Sequence, residues 1–84
     1  MKTTITLLGV EGCPTCAKLD ARVQLAVQAI STPIVVEKIT DAERIMEFGA
    51  GGLPAVLVNR QVKAVRRVPE VEELVAWLKG ENNG

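Results

Sequence analysis

Two short β-branched runs separated by one stretch of helical periodicity occupy the first half of the chain, and that succession restricts the fold more than any other feature. Thr3 to Leu8 (Thr-Thr-Ile-Thr-Leu-Leu) is too short for a helix and stops at Gly9, which reads as a buried strand. A turn holding Gly9, Glu11 and Gly12 follows. From Pro14 to about Ile30, the residues Cys16, Leu19, Val23, Ala26, Val27 and Ile30 recur at helical spacing. Lys18, Asp20, Arg22, Gln24 and Gln28 lie mostly elsewhere, so the segment predicts an amphipathic helix. Ser31-Thr32-Pro33 ends it, and Ile34 to Ile39 reads as a second strand whose leading proline suits an edge position. Strand, helix and strand with short connections imply a right-handed parallel crossover.

The second half changes pattern. Thr40 followed by Glu43 has capping-box spacing, and Ala42, Ile45, Met46 and Gly49 would share one face of a short helix ending near Gly49. Gly51-Gly52-Leu53-Pro54 is a loop, after which Ala55–Val58 and Val62–Val65 flank Asn59-Arg60-Gln61 as a hairpin. Pro69 fits the first position of a last helix, with Val71, Leu74, Val75 and Leu78 as its apolar stripe and Gly80 as its close. The order is βαβ, then α, then ββα. It predicts an α/β domain with a four-stranded mixed sheet and three helices over residues 1–80, and a flexible tail over 81–84.

Ten Lys and Arg balance ten Asp and Glu without any basic run, which leaves no electrostatic footprint for nucleic acid or anionic lipid. The uncharged apolar stretches fall well short of the roughly 20 residues that cross a bilayer. The chain has no His and no Tyr, and Ser31 is its single serine, so neither a Ser-His-Asp nor a Cys-His nucleophile system can be built, nor a His-based metal site. Two cysteines are too few for a secreted disulfide scaffold, and Met1-Lys2-Thr3-Thr4 leads straight into a strand, so a cytoplasmic, reducing location is expected.

Reactive chemistry concentrates at Cys13-Pro14-Thr15-Cys16, where the first strand gives way to the first helix, the context in which this spacing reads as a redox motif. With Pro14 at the first helical position, Cys13 is the N-cap, and its sulfur faces the unpaired amides of Thr15 and Cys16 at the positive end of the helix dipole. Lowering a thiol pKa from about 8.5 to about 7 raises the thiolate fraction at neutral pH from roughly 3% to roughly half. Cys13 is therefore the expected nucleophile. Cys16 lies one turn further in, in phase with Leu19 and Val23, and is the expected resolving thiol. Three other readings compete. A structural disulfide would close a loop of only about four residues, worth about 2 kcal/mol by chain entropy, and would link no separate elements. A soft-metal or cluster-bridging site would need two further ligands, which only a dimer could supply. Two buried cysteines without function are the third.

The chain resembles the thioredoxin superfamily, and within it the small thioredoxin-like, glutaredoxin-like proteins that begin directly with the first strand. Cys13-Pro14-Thr15-Cys16 and Gly52-Leu53-Pro54-Ala55 carry the resemblance, with Val36 to Asp41 and Arg67-Val68-Pro69 leading into Glu70 to Leu74 as further matching segments. It implies a thioredoxin-like fold and a small thiol–disulfide oxidoreductase, an electron carrier that needs no bound cofactor or metal. Its partners would be protein disulfides as substrates and a thioredoxin-reductase-type enzyme as electron donor, with a monomer as the working form. Pro54 would be the cis-proline beside the thiols, leaving Leu53 to offer its N–H and C=O to an extended substrate strand. Gly12, Pro14, Thr15 and Gly52 would complete the substrate-binding surface. Glutathione would be a poor substrate, because Arg66-Arg67-Val68-Pro69-Glu70 has no Gly-Gly turn or Asp pair for its charged groups.

The resemblance has departures. Gly12 stands where many relatives carry Trp, Pro14-Thr15 replaces Gly-Pro, and the buried acid that assists the inner thiol has no obvious match, since Glu37 and Asp41 sit near segment ends. Lys18, one turn beyond Cys13, and the pair Arg66-Arg67 read as solvated surface charges, and Trp77 as ordinary packing off the last helix's stripe or as a patch with Leu25.

Overall fold

The first strand, β1 (Thr3–Leu8), lies in the middle of the sheet, and its sequence explains why. Ile5 and Leu7 point to one face and Leu8 to the other, and all three are buried, as a strand covered on both sides requires. Thr6 is buried as well. Its hydroxyl donates to Glu37 Oε1 at 3.0 Å across the ladder, which satisfies a group that would otherwise be costly there. The computed structural model describes residues 3–10 and 12–83, with side chains to residue 80. Met1, Lys2, Gly84 and the turn residue Glu11 therefore lie outside the described residues.

Helix α1 (Pro14–Gln28) carries the chain to β2 (Ile34–Ile39), which runs parallel to β1 and forms one edge. Leu19, Val23 and Ala26 are its buried positions. It ends two residues before Ile30, the predicted limit: Ala29 caps it, and the Ile30 amide donates to the Val27 carbonyl.

The short α2 (Ala42–Phe48) corrects two expectations. Its N-cap is Asp41, whose carboxylate accepts from the Glu43 amide at 3.0 Å, so the Thr40–Glu43 capping box does not form. Asp41 keeps an extended backbone and its carbonyl takes the Ile45 amide, which puts the first turn one residue later. Met46 is 79% exposed and does not face the sheet. A seven-residue helix touches the sheet along one edge only, here Ile45 and Phe48, and Met46 sits about 100° round from Ile45.

β3 (Ala55–Val58) pairs antiparallel with β1, and β4 (Gln61–Val65) with β3, giving the order β2-β1-β3-β4. The predicted three-residue hairpin loop is a two-residue one, because Asn59 and Arg60 both take positive φ (50° and 71°) and Gln61 joins the strand. Asn59 holds the turn to β1: its amide donates to the Thr4 carbonyl at 2.8 Å, and its side-chain oxygen accepts from the Thr4 amide.

Helix α3 (Val71–Asn83) starts two residues after Pro69 and continues past Gly80 through residues expected to form a tail. Glu73 reaches back to the Glu70 amide while the Glu70 carbonyl takes the Leu74 amide, so Glu70 serves as the cap and Pro69 is buried instead. Helices α1 and α3 cover one face of the sheet through Leu19, Val23, Leu74 and Leu78, each fully buried and worth about 1.5–3 kcal/mol of transfer free energy. The other face has a thinner core of Leu8, Ile39, Ala55 and Leu57 under α2.

Candidate active site

Three chain segments meet at one end of the sheet. Leu8 ends β1 opposite Ala55, which begins β3, and Ala55 pairs with Val65, which ends β4. The register therefore gathers at this end the chain leaving β1 at Gly9, the segment Gly51–Pro54 that enters β3 and the segment Arg66–Pro69 that leaves β4.

Cys13 is the N-cap of α1 with Pro14 directly after it. Its sulfur accepts from the Cys16 amide at 3.2 Å. The Cys16 thiol, hydrogen-bonded to that sulfur, holds the Cys13 thiol below its ordinary pKa, with the backbone amides of Cys16 and Thr15 adding to the effect and slight burial opposing it. Cys16 behaves oppositely. Burial pushes its pKa up, the hydrogen bond and the charge at Cys13 push the same way, and the Val10 amide pulls weakly down. Both thiols are free and partly buried. The pair is thus polarised by local structure: Cys13 gives up its proton more readily than an ordinary thiol, and Cys16 less readily.

Gly9 and Asp20 contribute without having been singled out in the sequence. A Cβ on Gly9 would stand 2.7 Å from Cys16 Sγ and 3.3 Å from Cys16 Cβ, so the inner thiol packs directly on the backbone where β1 ends. A glycine at a strand end reads as a stop signal, and this close approach arises only once α1 has folded back. Asp20, one helical turn after Cys16, lines with it a cavity of about 280 Å³ that also takes in Gly12, Cys13, Ala17 and Lys38. Lys38 Nζ donates to Asp20 Oδ2 at 3.1 Å, while Asp20 Oδ1 is buried with no hydrogen-bond partner among the described residues. Asp20 had been assigned to the polar face of α1. Glu37, considered for the acid, accepts from Thr6, and Asp41 caps α2.

The remaining candidate residues fall into two groups. Pro14 and Thr15 are exposed on the first turn of α1, next to Gly12 with its φ of 76°. Gly52 and Leu53 line a separate hollow of about 310 Å³ with Ile45, Met46 and Gly49–Gly51. The Leu53–Pro54 peptide bond is cis, as the resemblance implies, and Pro54 is buried. Leu53 is exposed, and its backbone makes no hydrogen bond among the described residues.

Arg66 holds this second group. Its amide donates to the Pro54 carbonyl at 2.8 Å and its Nη2 to the Gly51 carbonyl at 3.3 Å. It does so with φ at 63°, a left-handed conformation that costs a non-glycine residue about 1–2 kcal/mol. Arg67 does not act as a loose surface charge either: both of its terminal nitrogens bond the Glu73 carboxylate, and its guanidinium lies 5.8 Å from the centre of the Trp77 ring. Trp77 is partly buried against the core, and Lys18 is exposed. Among the described residues no group of three or more His, Cys, Asp or Glu side chains could hold a metal ion, and no helix is long and apolar enough to cross a membrane.

A family model described as a thioredoxin domain matches residues 1–79. The thioredoxin of Methanothermobacter thermautotrophicus is 32% identical over 63 residues, which are 75% of this chain and 82% of that protein. Among solved structures, one titled only as a malarial protein superposes with a TM-score of 0.76 over 95% of this chain and 97% of its own, at 14% identity. Thioredoxin-2, titled as a component of the malaria parasite's protein secretion machinery, gives 0.73 over 94% and 82%, at 16% identity. At those identities the two structures speak for the fold.

Proposed function

The chain belongs to the thioredoxin family, and from that premise we propose that it reduces disulfide bonds of protein substrates through Cys13 and Cys16. The Cys13 thiolate attacks one sulfur of the substrate disulfide. The S–S bond breaks, the second substrate sulfur leaves as a thiolate and takes a proton from solvent, and a mixed disulfide joins Cys13 to the substrate. Cys16 then gives up its proton and attacks Cys13 Sγ. The products are a reduced substrate and a Cys13–Cys16 disulfide, which a thioredoxin-reductase-type enzyme returns to the dithiol with two electrons. Asp20 Oδ1, buried without a partner and lining the same cavity as Cys16, is the proton acceptor in this scheme, directly or through a water in that cavity.

The observation that carries the reading is the geometry of the motif, with the Cys13 sulfur at the N-cap of α1 accepting from the Cys16 amide and Cys16 one turn further in, where burial and Cys13 raise its pKa while Cys16 lowers that of Cys13. It supports the assignment of attack to Cys13 and release to Cys16, because the reactive species is the thiolate and Cys13 is the thiol that loses its proton more readily. Supporting the docking role of Leu53 is its exposure together with a backbone that makes no hydrogen bond among the described residues, which suits an added substrate strand. Gly12, Pro14, Thr15 and Gly52 border that strand on either side. The same reading takes residues 1–80 as one working domain, active as a monomer, in the reducing cytoplasm, with glutathione a poor substrate.

Reduction of a protein disulfide such as that of insulin, driven by a thioredoxin reductase, tests it. Turnover that is lost in Cys13→Ser supports the proposal. Efficient turnover with glutathione and glutathione reductase, with none from any thioredoxin reductase, overturns the assignment of partner. Undiminished turnover in Cys13→Ser overturns the assignment of the nucleophile.

A further inference from the structure

Three arginines surround the exit of β4, and two of them are paired with carboxylates. Arg22 donates to the carbonyls of Val68 and Pro69 and to the Glu70 carboxylate. Arg67 is held by both oxygens of Glu73. Arg66 differs: its one side-chain bond goes to the Gly51 carbonyl, and no carboxylate of the described residues is in ion-pair distance of it. Among the described residues its charge has no carboxylate partner.

The position of that charge is built into the backbone. Arg66 adopts a left-handed conformation that glycine would take freely and a long side chain disfavours. Opposite it stands Gly52, where a Cβ would come within 2.4 Å of Arg66 Nε and 2.7 Å of its Cγ. The arginine stem therefore lies across the loop just before Pro54, and the loop has given up a side chain to let it. A guanidinium laid over Gly51-Gly52 is two residues from Leu53, a span of about 7 Å along the chain.

We propose that Arg66 is a specificity-determining residue that binds a carboxylate of the substrate protein, so that disulfides flanked by Asp or Glu are preferred. The inference rests on the redox function proposed above. A strand paired to Leu53 advances about 3.4 Å per residue, which brings a side chain one or two positions from the attacked cysteine over the guanidinium. A planar fork of donors with one arm anchored on Gly51 is pre-organised for such an acceptor. Leu53 supplies main-chain bonds indifferent to sequence, whereas Arg66 supplies the discrimination.

Three disulfide-bonded peptides identical except for Asp, Asn or Lys beside one cysteine provide the test, with oxidised glutathione as a fourth substrate. The wild-type protein is expected to favour the Asp peptide over the Asn peptide by about fivefold in kcat/KM at low salt, through KM, with the preference shrinking in 0.5 M NaCl. In Arg66→Gln, and in Arg66→Gly, which keeps the left-handed backbone without strain, the preference falls to within about twofold because the Asp peptide loses more than the Asn peptide does. Arg66→Lys retains part of it. Equal losses on all three peptides would assign Arg66 a purely structural role and overturn the inference, as would an unchanged preference in Arg66→Gln. A preference for oxidised glutathione over the Asp peptide would overturn a protein carboxylate as the ligand. Equal reduction of all peptides by the wild-type protein sinks this inference alone, whereas reduction of none sinks the redox reading beneath it.

Discussion

On one side of the reactive site both thiols come from a single turn of chain, Cys13 to Cys16 at the start of α1, while the other side is built from two segments that meet only in the folded chain, Gly51–Pro54 and Arg66–Pro69. The first side is governed by local rules: a strand ends, a proline starts a helix, and the cysteine before it becomes the N-cap. The second is governed by tertiary contacts, a guanidinium over a glycine and a carboxylate clamped by an arginine. Reactivity is thus written into sequence neighbours, and recognition into contacts between strangers. Substitutions on the first side should change chemical rates, and those on the second should change binding and stability while leaving the thiols alone.

The largest effect is expected from Cys13→Ser, which should remove turnover entirely. Cys16→Ser should still attack once and then remain as a covalent adduct with its substrate, visible by mass spectrometry without reductant. The wild-type thiols should also separate by pH. Cys13 is held below the ordinary thiol range, so its reaction with iodoacetamide should reach half its limiting rate at a lower pH than a free cysteine, and that of Cys16 at a higher one. If Cys16 proved the faster of the two below pH 8, the opposite polarisation of the two thiols would be wrong.

That first side was largely legible in the sequence for a physical reason. The N-cap geometry of Cys13 depends on Pro14 and the helix that follows, all within one periodic segment, and the strand and helix types follow from patterns of similar reach. What escaped involves partners distant in space. Gly9 had no visible task until α1 laid Cys16 on it, and Asp20 looked like a solvated helix position until Lys38 and the cavity beside Cys16 were in place. Likewise nothing in Arg66-Arg67 distinguishes the residue that finds Glu73 from the one that does not. On α2, Met46 was placed inward by a pattern that seven residues are too few to enforce.

Gly9→Ala probes where the local side depends on close packing. The added methyl meets Cys16 Sγ at 2.7 Å, and the neighbouring strand leaves the inner thiol to move. A stability loss of about 1–3 kcal/mol is expected in urea or thermal unfolding, typical of overpacking. Release of the mixed disulfide should slow with it, while alkylation of Cys13 keeps its rate and pH dependence. An unperturbed release rate would show that the thiol is not held by this contact.

Gly52→Ala applies the same insertion to the other side and should do less. Its methyl meets the Nε and Cγ of Arg66 and Cγ1 of Val65, but the arginine is surface-exposed and can swing away. The loss is expected to be no more than about 1 kcal/mol, at the low end of overpacking costs, and Arg66→Gly in the same chain should recover most of it. The alkylation rates of both thiols should be untouched. If Gly52→Ala instead cost as much as Gly9→Ala, the loop would have to be a rigid part of the core and the contrast between the two sides would fail.

The smallest effect is expected at Glu73, whose carboxylate joins the Arg66–Pro69 segment to α3 by accepting from Arg67 and from the Glu70 amide. Arg67 lowers its pKa, with the Glu70 amide adding to the shift. A group whose folded pKa is depressed contributes stability above the unfolded carboxylate value of about 4.3, and that contribution disappears as the pH falls through the lower, folded value. The wild-type protein should therefore be slightly more stable than Glu73→Gln at pH 6–7. The gap should narrow below about pH 4.3 and close at still lower pH, and it should narrow also in 1 M NaCl, because both partners are substantially exposed and screened. Gln can still accept from the Glu70 amide, so the charge and not the cap is what the comparison isolates. The Cys13 alkylation profile should be the same in both proteins, since the thiol is tuned by Cys16, Thr15 and its own burial and not by this pair. A shift in that profile would mean that the two sides communicate electrostatically and are one unit after all.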